Sequence, residues 1–149
     1  MELTLTPCED LAEAGQLVSS NMAADYSRHG LVWDEQVFQA NWQQWTWHWL
    51  QKGARRHGLI AWNLDSPIWY LRELQLYPDR QGLGIGRQAM MLAEQEAQRC
   101  ACRYMRLRVL SGSRAEALYQ RLGYQCLRRD PTPRGQLLGL QKRLFATTP

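Results

Sequence analysis

The spacing of apolar positions changes along the chain, and each change marks an element. Glu2 to Thr6 alternates, with Leu3 and Leu5 on one face of a short strand that Pro7 closes. From about Glu9, residues Leu11, Ala14, Leu17 and Val18 fall at helical spacing, and this helix is expected to fray before Arg28-His29-Gly30. Asp34 is placed to cap a second helix carrying Val37, Phe38, Asn41 and Trp42. Trp45, Trp47 and Trp49 share one face of a strand but would scatter around a helix. Gln51-Lys52-Gly53 turns that strand into a hairpin partner, Arg56 to Asn63. Asp65-Ser66-Pro67 then leads into a long strand, Ile68 to Leu76.

In the second half, Gly86, Ala89, Met90, Ala93 and Ala97 form a stripe rich in small residues, predicting a helix packed closely on a sheet and ending near Arg99. Tyr104 to Leu110 alternates as a half-buried strand. Ser113 to Leu122 reads as a short helix stopped by Gly123. Tyr124 to Arg129 and Gln136 to Phe145 are two last strands, joined by a loop from Pro131 to Gly135. The order βααβββαβαββ predicts a mixed α/β (α+β) sheet, and 149 residues suit a single domain over 1–149.

Composition narrows the class. Hydrophobic residues make up 45% and charged ones 21%, which excludes a mainly disordered chain. No apolar run reaches the roughly 18 residues of a membrane span, and Met1 to Thr6 lacks the basic start of a signal peptide. A cytoplasmic protein without membrane association is expected. Cys8, Cys100, Cys102 and Cys126 have neither Cys-x-x-Cys spacing nor a nearby histidine pair, so free, mostly buried thiols are expected and no metal. His29, His48 and His57 also lack ligand spacing and read as ordinary polar residues.

The net charge of +4 divides unevenly. Met1 to Leu71 carries 4 basic and 8 acidic residues, and the remainder carries 14 and 6. A uniformly basic nucleic-acid binder would not look like this, so no nucleic-acid partner is expected, and such a module stays a remote alternative. A basic half suits an anionic ligand and an acidic half a cationic one, although solvated surfaces give the same counts. The tryptophans could wall a pocket or stack bases, but a core role suits the acidic half better.

The chemistry concentrates in Arg80-Gln81-Gly82-Leu83-Gly84-Ile85-Gly86-Arg87, between a strand and a helix. Glycines let successive backbone N–H groups converge on phosphate oxygens, and a helix N-terminus adds its unpaired donors and positive end. A Walker loop would need Gly-Lys-Ser/Thr, whereas Arg87-Gln88 follows Gly86. A dinucleotide fold would need an acidic residue about 20 positions on, and Arg103 to Arg108 holds none.

A third cradle fits better. Gln81-x-x-Gly84-x-Gly86, following the strand end Leu74-Gln75-Leu76-Tyr77-Pro78, resembles the acetyl-coenzyme A loop of the GNAT superfamily of N-acetyltransferases. Ala117-Leu118-Tyr119-Gln120-Arg121-Leu122-Gly123-Tyr124 is similar to that family's Ala-Leu-Tyr-x-x-x-Gly-Phe/Tyr element. With the element order, the resemblance covers nearly the whole chain, while its motifs lie between about Arg72 and Tyr124.

The resemblance implies a GNAT fold and an acetyltransferase using acetyl-CoA. Gln81, Gly82, Leu83, Gly84, Ile85, Gly86 and Arg87 would hold the pyrophosphate, and Leu74 to Leu76 would run beside the pantetheine arm. A backbone N–H, that of Leu74, would stabilise the oxyanion. Tyr119 matches the tyrosine that protonates the leaving thiolate; without the resemblance it would read as a core aromatic. Ser113 stands where many relatives carry a pantetheine-binding asparagine. Asp25, Tyr26 and Trp33 fall on the substrate side.

An amine of pKa about 10 must lose a proton before it attacks a thioester. Glu73, the acidic residue on the strand ending at the cradle, is a candidate base or amine-binding anion, or else a strand-edge carboxylate paired with an arginine. The acceptor is expected to be a small-molecule or protein amine, and the acidic half favours a cationic one. A non-catalytic acyl-CoA sensor is the alternative, and a homodimer is left open.

Overall fold

The computed structural model describes residues 1–145; the last four positions of the expected domain lie outside them. Its elements follow the expected order: β1 (Leu3–Pro7), α1 (Leu11–His29), α2 (Glu35–Gln44), β2 (Thr46–Lys52), β3 (Arg55–Asp65), β4 (Ile68–Leu76), α3 (Ile85–Arg99), β5 (Tyr104–Leu110), α4 (Arg114–Arg121), β6 (Gln125–Thr132) and β7 (Gly135–Arg143). A short 3-10 turn, Pro78–Arg80, separates β4 from the glycine loop. No described helix is long and apolar enough to cross a membrane.

The seven strands form one sheet in the order β1-β2-β3-β4-β5-β7-β6. All neighbours are antiparallel except β4 and β5. Each face has its own core. On one, the small residues Ala89, Ala93 and Ala97 let α3 approach Leu50, Ile60, Trp69, Leu71, Met105 and Leu107. On the other, α1 and α2 cover Trp47, Trp49, Leu59 and Ala61 through Ala14, Leu17, Val18 and Phe38. The tryptophan strand is therefore core, although Trp45 itself caps the end of α2.

Several boundaries differ from the sequence reading. Helix α1 does not fray before Arg28: it runs through His29 and ends at Gly30, whose N–H returns to the Ser27 carbonyl. His29, read as an ordinary polar residue, has a structural place at this helix end. It is buried, its ring between the Ser111 carbonyl (2.9 Å) and the Thr132 hydroxyl (3.0 Å). The β6–β7 loop shrinks to Pro133 and Arg134, because pairing continues to Thr132 and Gly135. Phe145 lies beyond β7. All four cysteines are free, Cys8 and Cys102 buried but Cys100 and Cys126 exposed.

Candidate active site

Two irregularities of β4 build the site. Parallel pairing with β5 extends from Ile68–Tyr104 to Leu71–Leu107 and then stops, so the strands part like a fork. At the same point the register with β3 slips: Ala61 faces Glu73 while Trp62 faces Leu71. Arg72 is the extra residue of this bulge, and beyond it the faces exchange parity. Trp69 and Leu71 point into the α3 core before the bulge, and Leu74 and Leu76 pack against that core after it. Glu73 and Gln75 therefore face α1.

The fork holds a cleft of about 1190 Å³. Tyr77 N–H donates to the His57 carbonyl, so by antiparallel alternation Gln75 and Glu73 also turn their backbone groups toward β3. Leu74 and Leu76 consequently present theirs to the fork. The Leu76 carbonyl bears this out, accepting Asn21 Nδ2 at 2.7 Å and Gln81 Nε2 at 3.2 Å.

At the outer end, Gly82 (φ 75°) and Gly84 (φ 79°) take left-handed conformations that favour glycine. A Cβ on Gly84 would meet nothing within 4 Å, so the loop leaves open space at the N-terminus of α3. No side chain caps that terminus. The first turn, Ile85 to Arg87, faces the opening with its donors free of intrahelical partners. Arg114 lies across from Gly82, a cation that the sequence reading missed.

At the inner end, Glu73 sits partly exposed in the cleft. Burial pushes its carboxyl up to about 7, against the pull of a 3.0 Å hydrogen bond from Gln75 Nε2. Asn21 Nδ2 donates to Gln75 Oε1 (3.2 Å) and so holds that amide in place. Glu73 makes no ion pair among the described residues, which removes the arginine-paired reading. Tyr26 and Tyr119 both have phenols pushed upward, first by burial and then by the Glu73 charge. Both line the cleft.

A sequence model of the Acetyltransferase (GNAT) family matches residues 27–124 of this chain. The chain belongs to the GNAT acetyltransferase family. Solved GNAT-like structures share its fold along nearly the full length. An acetyltransferase of Bacillus subtilis in complex with CoA is 13% identical, with TM-score 0.74 over 97% of this chain and 99% of its own. The ribosomal-protein-S18-alanine N-acetyltransferase of Escherichia coli is 18% identical, with TM-score 0.68 over 99% and 96%. An acetyltransferase of Thermus thermophilus is 20% identical, with TM-score 0.68 over 97% and 98%. No curated protein matches the chain in sequence.

Against this GNAT frame, the expected site residues divide. Asp25, Tyr26, Glu73, Leu74, Leu76, Gln81, Gly82, Gly84, Gly86, Arg87, Ser113 and Tyr119 all line the cleft. Leu83, which is exposed, and Ile85, which is buried, are not among the residues lining the cleft. Trp33 lies outside the lining: its ring sits tilted against Phe38, 5.3 Å between centroids, and its indole N–H donates to Glu35. Asp25 is held by Arg28 at 2.9 Å. The Ser113 hydroxyl caps α4 by accepting the Glu116 N–H.

Proposed function

We propose that this GNAT protein transfers the acetyl group of acetyl-CoA to a primary amine by direct attack. One observation supports this best: the inner end of the fork sets a carboxyl that titrates near 7 beside a strand whose next N–H, that of Leu74, turns into the cleft. A base poised near neutrality and an oxyanion donor on adjacent residues are what aminolysis of a thioester requires.

The pyrophosphate lies against the N–H groups from Gln81 to Arg87, and the pantetheine arm runs along Leu74 to Leu76. Glu73 takes a proton from the ammonium of the acceptor, directly or through water. The freed nitrogen pair attacks the thioester carbon, and the Leu74 N–H receives the charge that develops on its oxygen. As the intermediate collapses, the C–S bond breaks, nitrogen passes its excess proton to water, and Tyr119 protonates the departing thiolate and is reprotonated from water, while Glu73 returns its own proton to solvent. Burial suits Tyr119 to this step, since its phenol stays neutral and able to donate.

Thermal unfolding with acetyl-CoA, against NADH and ATP, tests the cradle. At about 100 times its dissociation constant a ligand adds roughly 2.7 kcal/mol, a shift of about 5–10 °C for a domain of this size. A shift with acetyl-CoA, followed by free-thiol release with amines, is expected. A shift without thiol release makes the protein an acyl-CoA sensor. A shift with NADH alone overturns the cradle.

A further inference from the structure

The core under α1 and α2 takes its strand residues from β2 and β3. Further along the same face, where β4, β5, β7 and β6 lie side by side, is a depression of about 500 Å³. Its walls include Arg72, Arg106, Arg108 and Arg128, with Tyr70 and Asn63. Four guanidinium groups from three strands thus face one basin.

Two of the four, Arg72 and Arg106, have neutral partners. Arg72 Nε donates to Asn63 Oδ1, and its plane lies over the rings of Tyr70 (4.4 Å) and Trp45 (5.5 Å). Arg106 donates to Gln141 Oε1 at 2.6 Å and meets the Tyr70 hydroxyl at 3.5 Å. Asp130 is shared between Arg108 (3.3 Å) and Arg128 (3.0 Å), and Asp65 is the other carboxylate at the rim. Arg72 and Arg106 have no acidic partner among the described residues. Burial disfavours the charged form of Arg72; Tyr70 partly offsets this and Arg108 adds to it. Guanidinium groups fixed by stacking and amide contacts, with their terminal donors unspent on carboxylates, are prepared for a planar anion.

The basin joins the reaction cleft, since Arg72 and Arg108 line both. The β4 bulge sets Arg72 next to Glu73, and consecutive Cα atoms stand about 3.8 Å apart. We propose that the acceptor is an amino acid whose carboxylate is bound by this arginine basin while its amine reaches Glu73. The inference rests on the acetyl-transfer reading and names its substrate class. It reverses the expectation of a cationic acceptor drawn from the acidic N-terminal half. Asp25, the acidic residue that α1 turns to the cleft, is already neutralised by Arg28. A polyamine would meet Arg72 and Arg106 without a carboxylate beside them, whereas an amino acid brings the negative charge those two lack. The same arginines favour loss of the ammonium proton.

The test is thiol release from acetyl-CoA across α- and ω-amino acids, each paired with its carboxamide, and spermidine. The free acids are expected to exceed their carboxamides by at least about 10-fold in kcat/KM, mostly through KM; two charge-assisted hydrogen bonds readily supply that factor. Arg72→Gln and Arg108→Gln should each raise KM for the acid more than for the carboxamide and so narrow the gap, with folding checked by the acetyl-CoA thermal shift. Arg72→Lys, which keeps the charge without the fork, should restore part of it. Equal use of acids, carboxamides and spermidine leaves acetyl transfer standing and overturns the inference, as does a gap that survives both glutamine variants. If no amine releases thiol, the transfer reading fails, and thermal unfolding with the same acids decides the basin. A shift that Arg72→Gln abolishes keeps the anion site, and no shift removes it.

Discussion

A carboxyl group drawn into a half-closed cleft holds its proton longer than one in water, and the consequence for Glu73 runs in two directions. Its folded-state pKa of about 7 lies above the ordinary 4.5, so the native state binds the extra proton. That contribution to stability is complete below pH 4.5 and is lost as pH rises through 7. It amounts to about 3 kcal/mol at most. Glu73→Gln should therefore raise the melting temperature at pH 8 and flatten its fall between pH 4.5 and 7. The same substitution should cut kcat/KM about 100-fold and erase a rise in rate centred near pH 7. A variant that loses activity and gains stability would identify a group held in place at a cost to the fold. An unchanged pH profile would assign the proton transfer elsewhere.

At the level of elements, the loop between β4 and α3 combines two conditions: left-handed backbone at Gly84 and empty space where a side chain would point. Gly84→Asp adds about 1 kcal/mol of backbone strain and sets a carboxylate at the positive end of α3. Folding should survive, while acetyl-CoA affinity drops at least about 100-fold in a binding titration. This element was legible in the sequence, because glycine spacing and the strand before it suffice. The bulge at Arg72 was not. Strict alternation from Ile68 to Leu76 places Glu73 on the face of Trp69 and Leu71, and a one-residue slip in register moves it to the other. No residue type at 72 announces such a slip. The glycine loop and its helix could thus be read from local pattern, whereas Glu73's neighbours Gln75 and Asn21, and the arginine basin beyond it, follow from cross-strand register.

Across the whole molecule, His29 ties the end of α1 to the β5–α4 turn and to β6, across more than 80 residues of sequence. Gly135 makes room for it, since a Cβ there would stand 2.6 Å from the imidazole. His29→Ala should cost about 1–3 kcal/mol by taking the ring from the Thr132 hydroxyl and leaving the Ser111 carbonyl only its 3.3 Å contact with Arg28, lowering the melting temperature by roughly 3–10 °C. An undiminished melting temperature would show that water replaces the ring. A lone histidine before a glycine carried no such sign, because burial of that kind is set by what the chain brings back much later. The fork reaches as far. Strands β1 to β4 and strands β5 to β7 meet through four residue pairs, Ile68–Tyr104 to Leu71–Leu107, and past this seam each half keeps a bare edge. A bare edge is a template for any extended chain with amides of its own. Pantetheine has two, so on the proposed reading the cosubstrate would lie there as a guest strand. Such a guest would bridge the two halves of the sheet, and its departure as CoA would open the seam again, so hydrogen exchange at the Leu74 and Leu76 amides should slow when CoA is bound and recover when it leaves.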